Sequence, residues 1–415
     1  MKNRSSWLMV CTMCMCLLMC GCLNVQAKKN GEKEVRANVV PEYYVAAYIW
    51  PSCHDDPMGH EVLWPEGTGE WEIIKKGNPR FEGHYQPKVP MWGYTDEKDP
   101  KVMEQKIQAA STHGIDVFIF DWYTYEGKPF LNRCLDEGFL HASNTDAIKF
   151  ALMWANHDWM DLYPYTGGNK HDYLYDGKVT SEMFDRIGDN LVEQYFTKPN
   201  YWLIDGKAYF SIYDIQNFIN SFGSLEATIK EMKKLDQKAI DAGLKGIHWN
   251  LVAWGTAILP GQEAPLNNKE LLEKLKFDSA TSYVWIHHAG LPELETDFNY
   301  VRDKYMEHWD NAKKEYGVPY YPNVTMGWDP SPRTNQEKEW SGSKYGYPYT
   351  NTMSNNTPEN FKKALEMTRD RLLADPDGPR ILNINCWNEW TEGSYLEPDM
   401  KNGMSYLEAV KKVFK

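Results

Sequence analysis

In this 415-residue sequence, basic residues are fewer than acidic ones, and few cysteines lie beyond the first 27 residues. Lys and Arg total 45 against 58 Asp and Glu, which gives a formal net charge of -13 at pH 7. That balance argues against a nucleic acid or an anionic membrane surface as the ligand. Five of the eight cysteines fall within the first 27 residues. The other three, Cys53, Cys134 and Cys386, have the spacing of neither a disulfide framework nor a zinc site.

Long apolar runs are missing as well. The apolar stretch near the start, residues 7–18, is too short to span a bilayer comfortably and follows a basic start, so residues 1–27 are predicted to be an export signal. Two cleavage sites remain open. "MCGC" resembles a bacterial lipobox with Cys22 as the lipidated residue, and "VQA" ending at Ala27 suits ordinary signal peptidase. The lipobox is favoured, which predicts an outer-membrane or periplasmic protein that meets the membrane only through this lipid, with a polar tether at 28–41.

From residue 42 onward, short apolar runs alternate with amphipathic stretches, the pattern of βα units around a parallel sheet. Eight such runs, each followed by a helix, predict one α/β domain over 42–415, a (β/α)8 TIM barrel. A doubly wound open sheet is the alternative, but no glycine-rich phosphate loop follows the first strand and no internal repeat is present. The candidate strands are residues 43–50, 115–123, 148–156, 207–214, 247–254, 279–286, 320–328 and 380–390.

Two connections are unusually long. Residues 51–98 follow the first strand and residues 329–356 follow the seventh, and both are rich in Trp, Tyr, Gly and Pro. Loops longer than about 15 residues are usually functional or disordered, and the aromatic content favours order. Because the loops that follow barrel strands emerge at the face where active sites are built, both are predicted to border the functional site.

The segment "NCWNEWTEGSYLEPD", residues 385–399, carries Glu389 and Glu392 at the predicted end of the eighth strand. A helical turn there would place the two side chains on one side, about 5 to 6 Å apart. That separation fits the carboxyl pair of a retaining glycosidase, which is roughly 5 Å. The spacing is weak by itself in a chain with 58 acidic residues. Its position at a strand end makes these glutamates the candidate catalytic pair.

Polar and aromatic residues also cluster at the ends of the other strands. The chain has 17 Trp and 26 Tyr, and such rings pack against sugar faces while sugar hydroxyls need paired hydrogen bonds. For each of these residues the alternative is a structural role, as an aromatic ring in the core or as a loop cap. The predicted substrate-binding residues are Tyr48, Trp50, His84, Tyr85, Asp121, Trp122, Tyr123, Trp154, Asn156, His157, Tyr213, Trp285, His287, Trp328, Asp329, Asn388 and Trp390.

Two short stretches contain residue types that bind metals, "CHDDPMGH" at 53–60 and the pair His287-His288. Neither has a helical His pair with a carboxylate base, nor paired CxxC spacing. Both are therefore predicted to contact sugar or to hold loops. We expect no metal and no cofactor, and the oligomeric state is left open.

Five motifs occur in order along the mature chain, and together they resemble the WbsX-like, glycoside hydrolase family 99-like proteins. They are "GEWEIIKKGNPRFEGHYQPKVP" (69–90), "DPKVMEQKIQAASTHGIDVFIFDWY" (99–123), "ALMWANHDW" (151–159), "GWDPSPR" (327–333) and "NCWNEWTEGSYLEPD" (385–399). The resemblance implies a (β/α)8 barrel that acts on carbohydrate. In family 99 enzymes, which cleave internal α-mannosidic bonds with retention, the Asn-Glu-Trp-x-Glu-Gly element carries both catalytic carboxylates.

By this resemblance, Glu389 would be the base that deprotonates the 2-hydroxyl of the sugar, and Glu392 the acid that protonates the departing oxygen. A direct nucleophile is the other interpretation. His157-Asp158 departs from the family pattern, as does Asn385, where family members tend to have an acidic residue. The expectation is a retaining glycoside hydrolase of a glycan whose sugar is unspecified. A surface glycan-binding lipoprotein and a glycosyltransferase are the alternatives.

Overall fold

The apolar runs pair side by side as parallel strands. The computed structural model describes residues 42–162, 173–264, 267–340 and 342–415, apart from the side chain of Lys344, so the predicted leader, Cys22 and the tether lie outside the described residues. The barrel strands are β1 (Tyr44–Ile49), β2 (Val117–Tyr125), β3 (Lys149–Trp154), β4 (Lys207–Ile212), β5 (Ile247–Val252), β6 (Ser279–Thr281), β7 (Tyr320–Tyr321 and Asn323–Thr325) and β8 (Ile381–Asn385).

The sheet closes on itself through β7. Each strand from β1 to β6 pairs in parallel with the next, and β1 also pairs with β8. The first half of β7 pairs with β6 and its second half pairs with β8. Pro322 separates the halves because proline has no N–H for a ladder hydrogen bond, although its carbonyl still accepts from Asn383 N–H at 2.9 Å. The predicted (β/α)8 barrel is confirmed.

Helices cover the outside of the barrel. Several of them begin at side-chain caps that the sequence also shows, for example Asp99 before Pro100 and Thr357 before Pro358. Gly317 ends its helix at φ 71, a conformation that glycine adopts without strain. The helices are α1 (Pro57–Val62), α2 (Trp71–Lys76), α3 (Pro100–Thr112), α4 (Ser181–Asn190), α5 (Ile215–Phe222), α6 (Leu225–Asp241), α7 (Asn268–Leu275), α8 (Phe298–Tyr316), α9 (Pro358–Ala374) and α10 (Ser405–Phe414).

The expectation that an α-helix follows every strand is wrong after β2. That connection contains a π-helical turn, Cys134–Gly138, and two 3-10 turns, Phe139–His141 and Thr145–Ala147. This segment packs directly on the first long loop, since a side chain at Gly138 would collide with the carbonyl oxygen of Glu97, 2.0 Å from an added Cβ. None of the helices in the described residues is long and apolar enough to cross a bilayer.

Both long connections contain ordered structure, as their aromatic content predicted. Residues 51–98 include α1 and α2. Residues 329–356 include a short strand, Thr352–Ser354, that pairs with Glu295–Asp297 in the connection after β6. The two loops lie against each other and form the rim of the barrel mouth, where hydrogen bonds join Arg80 to Asn335 and Gln336 to the Asn78 N–H.

Candidate active site

A cavity with about 470 Å³ of empty space lies at the C-terminal ends of the barrel strands. We call it the catalytic cavity because the two glutamates predicted to be catalytic line it, together with aromatic rings. The residues that line it are Trp50, Asp121, Tyr123, Met153, Ala155, His157, Tyr213, Ile258, Leu259, Tyr283, Val284, His287, Trp328, Arg333, Tyr347, Glu389 and Glu392.

Glu389 and Glu392 reach the cavity from a tight hairpin just beyond β8, and the helical turn expected from their spacing is a 3-10 turn within that hairpin. Asn388–Glu389 pairs antiparallel with Ser394–Tyr395, and a 3-10 turn over Trp390–Glu392 joins them. Gly393 closes the turn at φ 68, and an added Cβ would lie 2.8 Å from the side chain of Asp329. The turn places both carboxyls on the same cavity and both within reach of Arg333.

One buried arginine connects the two glutamates with a third carboxylate. The Arg333 guanidinium donates to Glu392 Oε1 at 2.6 Å, to Glu70 Oε1 at 3.0 Å and to Glu389 Oε1 at 3.4 Å. It also donates to the Tyr347 hydroxyl. Because Glu70 belongs to the first long loop and Arg333 to the second, this cation fastens both loops to the hairpin that carries the glutamates. Its plane lies 5.4 Å from the ring centre of Trp50, within cation–π range.

Tyr283 joins Glu389 to a further carboxyl. Its hydroxyl lies 2.8 Å from Glu389 Oε2 and 2.9 Å from Asp121 Oδ2. A hydroxyl has one hydrogen to donate, so both contacts are hydrogen bonds only when one of the two carboxyls carries a proton of its own. Asp121 and Glu389 are both almost fully buried, which favours that neutral form.

Burial raises the pKa of all three carboxyls. The pKa of Asp121 lies well above its usual value, although the Tyr283 hydrogen bond opposes the shift. The pKa of Glu389 is raised well above its usual value by burial and then by the nearby Glu392 charge, against the attraction of Arg333. The pKa of Glu392 is raised by burial, while Arg333 and Tyr347 oppose the shift. Since Arg333 is nearer to Glu392 than to Glu389, Glu392 is the better place for a negative charge.

The family of this chain follows from a comparison over almost its whole length. Residues 45–410 match the family model described as Glycosyltransferase WbsX. The chain belongs to the WbsX family. It is 26% identical over 396 residues to the uncharacterized protein WxcX of Xanthomonas campestris pv. campestris strain B100, an alignment that covers 92% of this chain and 51% of WxcX. The chain thus spans about half the length of the curated relatives that it matches.

Among solved structures, a glycoside hydrolase-like protein is similar with a TM-score of 0.53 at 15% identity, covering 93% of this chain and 98% of that chain. At such identity the likeness shows a shared barrel fold. A GH99 endo-alpha-mannosidase from Bacteroides thetaiotaomicron matches with a TM-score of 0.48 at 16% identity, covering 89% of this chain and 96% of that chain.

The barrel of this WbsX-family chain brings nine predicted site residues together. Side chains in a strand alternate between its two faces, so Asp121 and Tyr123 of β2 point into the cavity. The nine that line it are Trp50, Asp121, Tyr123, His157, Tyr213, His287, Trp328, Glu389 and Glu392.

Four predicted aromatic residues do not line the catalytic cavity, and their placement there is corrected. Trp122 and Trp154 pack against each other on the helix-facing side of the sheet, with ring centres 6.4 Å apart, because each lies one residue out of phase with the inward positions. Trp285 faces α8, where it packs on Phe298. Tyr48 lies below the cavity, with its ring centre 4.8 Å from that of Tyr283.

Three residues of the predicted site hold the loops of the barrel mouth and do not line the cavity, which is also a correction. Asn388 Nδ2 donates to the carbonyl of Trp50 at 2.8 Å, and its Oδ1 accepts from the Trp50 N–H at 2.9 Å. In the same way, Asn156 Nδ2 donates to the carbonyl of Asp214, and Asn156 Oδ1 accepts from the Asp214 N–H. Trp390 stacks on a tyrosine ring and donates to Glu397 at 2.8 Å. Their amide and indole groups are therefore used within the protein.

The remaining predicted residues, His84, Tyr85 and Asp329, line a different space. This second cleft has about 900 Å³ of empty space, and Trp328 borders both it and the catalytic cavity. Asp329 Oδ2 accepts from Lys88 at 2.7 Å and lies 2.9 Å from His84 Nε2. The predicted residues that do line a cavity are thus divided between two neighbouring spaces.

The candidate metal ligands have structural partners. The Asp56 carboxylate caps α1 by accepting from the N–H groups of Met58 and Gly59, and the two ring nitrogens of His54 lie within 3.1 Å of backbone carbonyls. His287 Nδ1 lies 3.0 Å from the carbonyl of Thr256. Among the described residues, no group of three His, Cys, Asp or Glu side chains is arranged to hold a metal ion.

Four residues of the site were not predicted from the sequence: Glu70, Tyr283, Arg333 and Tyr347. Arg333 is the last residue of the "GWDPSPR" motif, and Glu70 lies in "GEWE", so both were within quoted segments. An arginine surrounded by carboxylates in space is separated from them by more than 50 residues in sequence. The available signal was that both charged residues lie within motifs quoted for the family resemblance.

Proposed function

We propose that the chain hydrolyses glycosidic bonds with retention of configuration, with Glu389 and Glu392 as the two carboxyl groups of the reaction. The observation that carries this proposal is their meeting in one buried, ring-walled cavity at the mouth of the barrel. Retaining glycosidases need a close pair of carboxyls, one protonated and one ionised. Burial and mutual repulsion favour that state here.

The hydrogen bonds suggest how the proton and the charge are shared in the free site. Glu392 takes the shorter bond from Arg333, at 2.6 Å against 3.4 Å for Glu389. We infer that Glu392 is ionised first and that Glu389 keeps the proton, which is the reverse of the roles implied by the family resemblance. An aryl glycoside with an acidic leaving group separates the two assignments, because the variant that lacks the acid still cleaves it while the variant that lacks the base or nucleophile does not.

Hydrolysis fits the charge of the cavity better than sugar transfer from a nucleotide. Asp121, Glu389 and Glu392 are acidic, and the cation among the lining residues, Arg333, already binds carboxylates. A nucleoside diphosphate would bring further negative charge into this space, at an electrostatic cost. Glycosyl transfer remains the second candidate because of the description of the family model. Tight binding of a nucleotide sugar, measured by calorimetry, would favour transfer.

The test of the proposal is a screen of purified protein against polysaccharides, with thin-layer detection of released oligosaccharides. We expect the wild type to release product from at least one polysaccharide. Glu389→Gln and Glu392→Gln should each abolish release but retain glycan binding. Glu226→Gln, on the exposed start of α6, is the matched control and should be fully active. Binding without release by the wild type would instead support a glycan-binding protein.

The location of the protein forms a separate proposal, based on residues 1–27. We infer export and attachment through a lipid on Cys22, which would place the barrel in the cell envelope, where nucleotide sugars are not available. Metabolic labelling with a palmitate analogue should mark the wild type but not Cys22→Ala. Labelling of both, or of neither, would contradict this assignment.

A further inference from the structure

The second cleft lies directly behind the catalytic hairpin. Trp328 forms a wall of both spaces, and Gly393, the neighbour of Glu392, lines the second cleft. The Asp329 N–H donates to the Glu392 carbonyl at 2.5 Å. The backbone between the two spaces is therefore hydrogen bonded to the segment that carries the two glutamates. A ligand in the second cleft would therefore touch the same structural unit that carries the acid pair.

The walls of the second cleft combine ring faces with neutral hydrogen-bonding groups, and the exposed side chains of Glu295 and Lys401, one of each charge, also line it. Such a combination suits sugar units, because rings cover their C–H faces while amides and hydroxyls pair with their hydroxyl groups. The rings are Phe81, Tyr85, Trp328, Tyr395 and Tyr406, and the neutral polar side chains are Thr352, Ser354, Asn355, Asn356, Thr357 and Asn402.

The buried charge in the second cleft is already compensated. Asp329 is 8% exposed and accepts hydrogen bonds from Lys88 at 2.7 Å and from Gln86 at 2.8 Å. Although burial raises the pKa of Asp329, Lys88 and His84 hold that pKa well below its usual range. Asp329 thus stays ionised and paired, and it offers neither a free acid nor a free base. Asp329 therefore supplies this cleft with no group for acid–base catalysis.

The far wall of the second cleft is held in a fixed shape before any ligand arrives. Thr352–Ser354 pairs as a strand with Glu295–Asp297. Asn355 adopts φ 58, a left-handed conformation that is uncommon outside glycine, and its side chain donates to Asp297 at 2.9 Å. A preformed wall lowers the entropic cost of binding.

We propose that the second cleft is a binding subsite for an uncharged sugar unit of the same glycan that the catalytic cavity cleaves, at a distance from the scissile bond. This inference rests on the proposed hydrolase function. It adds that affinity for a polysaccharide depends on a space outside the acid pair, so longer chains bind more tightly than short ones.

The test uses affinity electrophoresis of the Glu389→Gln/Glu392→Gln double variant in gels that contain mannan, galactan, dextran, laminarin or xylan, with polygalacturonate as the acidic arm. We expect at least one neutral polysaccharide to retard the protein. Adding Ser354→Trp, which fills the cleft, or Tyr85→Ala, which removes a ring, should weaken that retardation about tenfold or more. Ser143→Trp and Tyr300→Ala, both at exposed positions, are the matched controls and should leave it unchanged.

Three results of the electrophoresis would overturn the inference: no retardation by any neutral polysaccharide, retardation by polygalacturonate alone, or equal retardation with and without the cleft substitutions. Thermal unfolding of each variant shows whether Ser354→Trp still folds, and Tyr85→Ala supplies an independent result if it does not. Failure of the hydrolase proposal is distinguishable, because then the wild type releases no product even where the cleft variants lose binding. If the wild type cleaves a polysaccharide but Tyr85→Ala leaves its KM unchanged, the subsite is wrong and the hydrolase stands.

Discussion

Replacement of Arg333 by Met should make the stability of the protein depend strongly on pH. The Arg333 side chain is about 1% exposed and ion-paired to Glu70, Glu389 and Glu392. Methionine fills similar space but leaves these carboxylates buried without their shared cation. Breaking a buried ion pair from one side costs about 3 to 5 kcal/mol.

The carboxyls can escape part of that cost by taking up protons. Arg333 lowers the pKa of both Glu389 and Glu392, so its removal raises both further above the value of about 4.3 expected in the unfolded chain. A carboxyl with a raised folded pKa contributes stability that is complete below the unfolded pKa and is lost as the pH rises through the folded pKa. We therefore expect a loss of about 3 to 5 kcal/mol at pH 8 and less than half of that at pH 5.

Urea unfolding followed by tryptophan fluorescence measures both values, since the chain has 17 Trp. Arg302→Met is the matched control. Its side chain is similarly buried, at 6% exposure, but its carboxylate partner Asp303 is 57% exposed and can be solvated without the arginine. That variant should lose about the same stability at both pH values. An equal loss at pH 5 and pH 8 for Arg333→Met would refute the electrostatic reasoning and point to packing.

Three further predictions test the buried charges separately. Lys106→Met removes an ammonium that lies 2.6 Å from each of two buried carboxylates, so the free energy of unfolding measured in urea should fall by about 3 to 5 kcal/mol. Lys101→Met, at an exposed ion pair, should leave the free energy of unfolding unchanged. Burial raises the pKa of Asp116 to about 6, which costs up to about 3 kcal/mol relative to the unfolded chain above that pH. Asp116→Asn should therefore unfold at a higher urea concentration than the wild type at pH 7 but not at pH 4, and the opposite order would contradict the assignment. Tyr283→Phe removes a hydrogen bond that lowers the pKa of Glu389, the carboxyl that keeps the proton in the proposed reaction, so the alkaline limb of the kcat/KM profile should move to higher pH, and an unmoved limb would show that Tyr283 does not control ionisation.

The strand pattern illustrates what could be predicted. The eight apolar runs became the eight barrel strands, with ends that differ by a few residues from those expected. Runs of Val, Ile, Phe and Tyr form strands because both of their faces are covered, whichever helices cover them. The α-helix expected after β2 is instead a π-helical turn and two 3-10 turns, because helix formation depends on how a segment packs as well as on its apolar pattern.

The site shows where local reasoning stops. The position of Glu389 and Glu392 at a strand end pointed to the mouth of the barrel, and the structure places them there. Trp122 and Trp154 occupy strand ends too, yet they face the helices. Which of two adjacent residues points inward depends on strand register, and a shift by one residue exchanges the faces.

The sequence by itself determined the barrel, its two long loops and the carboxyl pair, because each depends on periodicity or on neighbours within a few residues. Only the tertiary structure decided that Arg333 joins Glu70 to that pair and that Tyr283 joins Glu389 to Asp121. These contacts link residues that are distant along the chain. Their energies depend on burial and on distances of about 3 Å, and those quantities exist only once the strands have closed and the loops have packed.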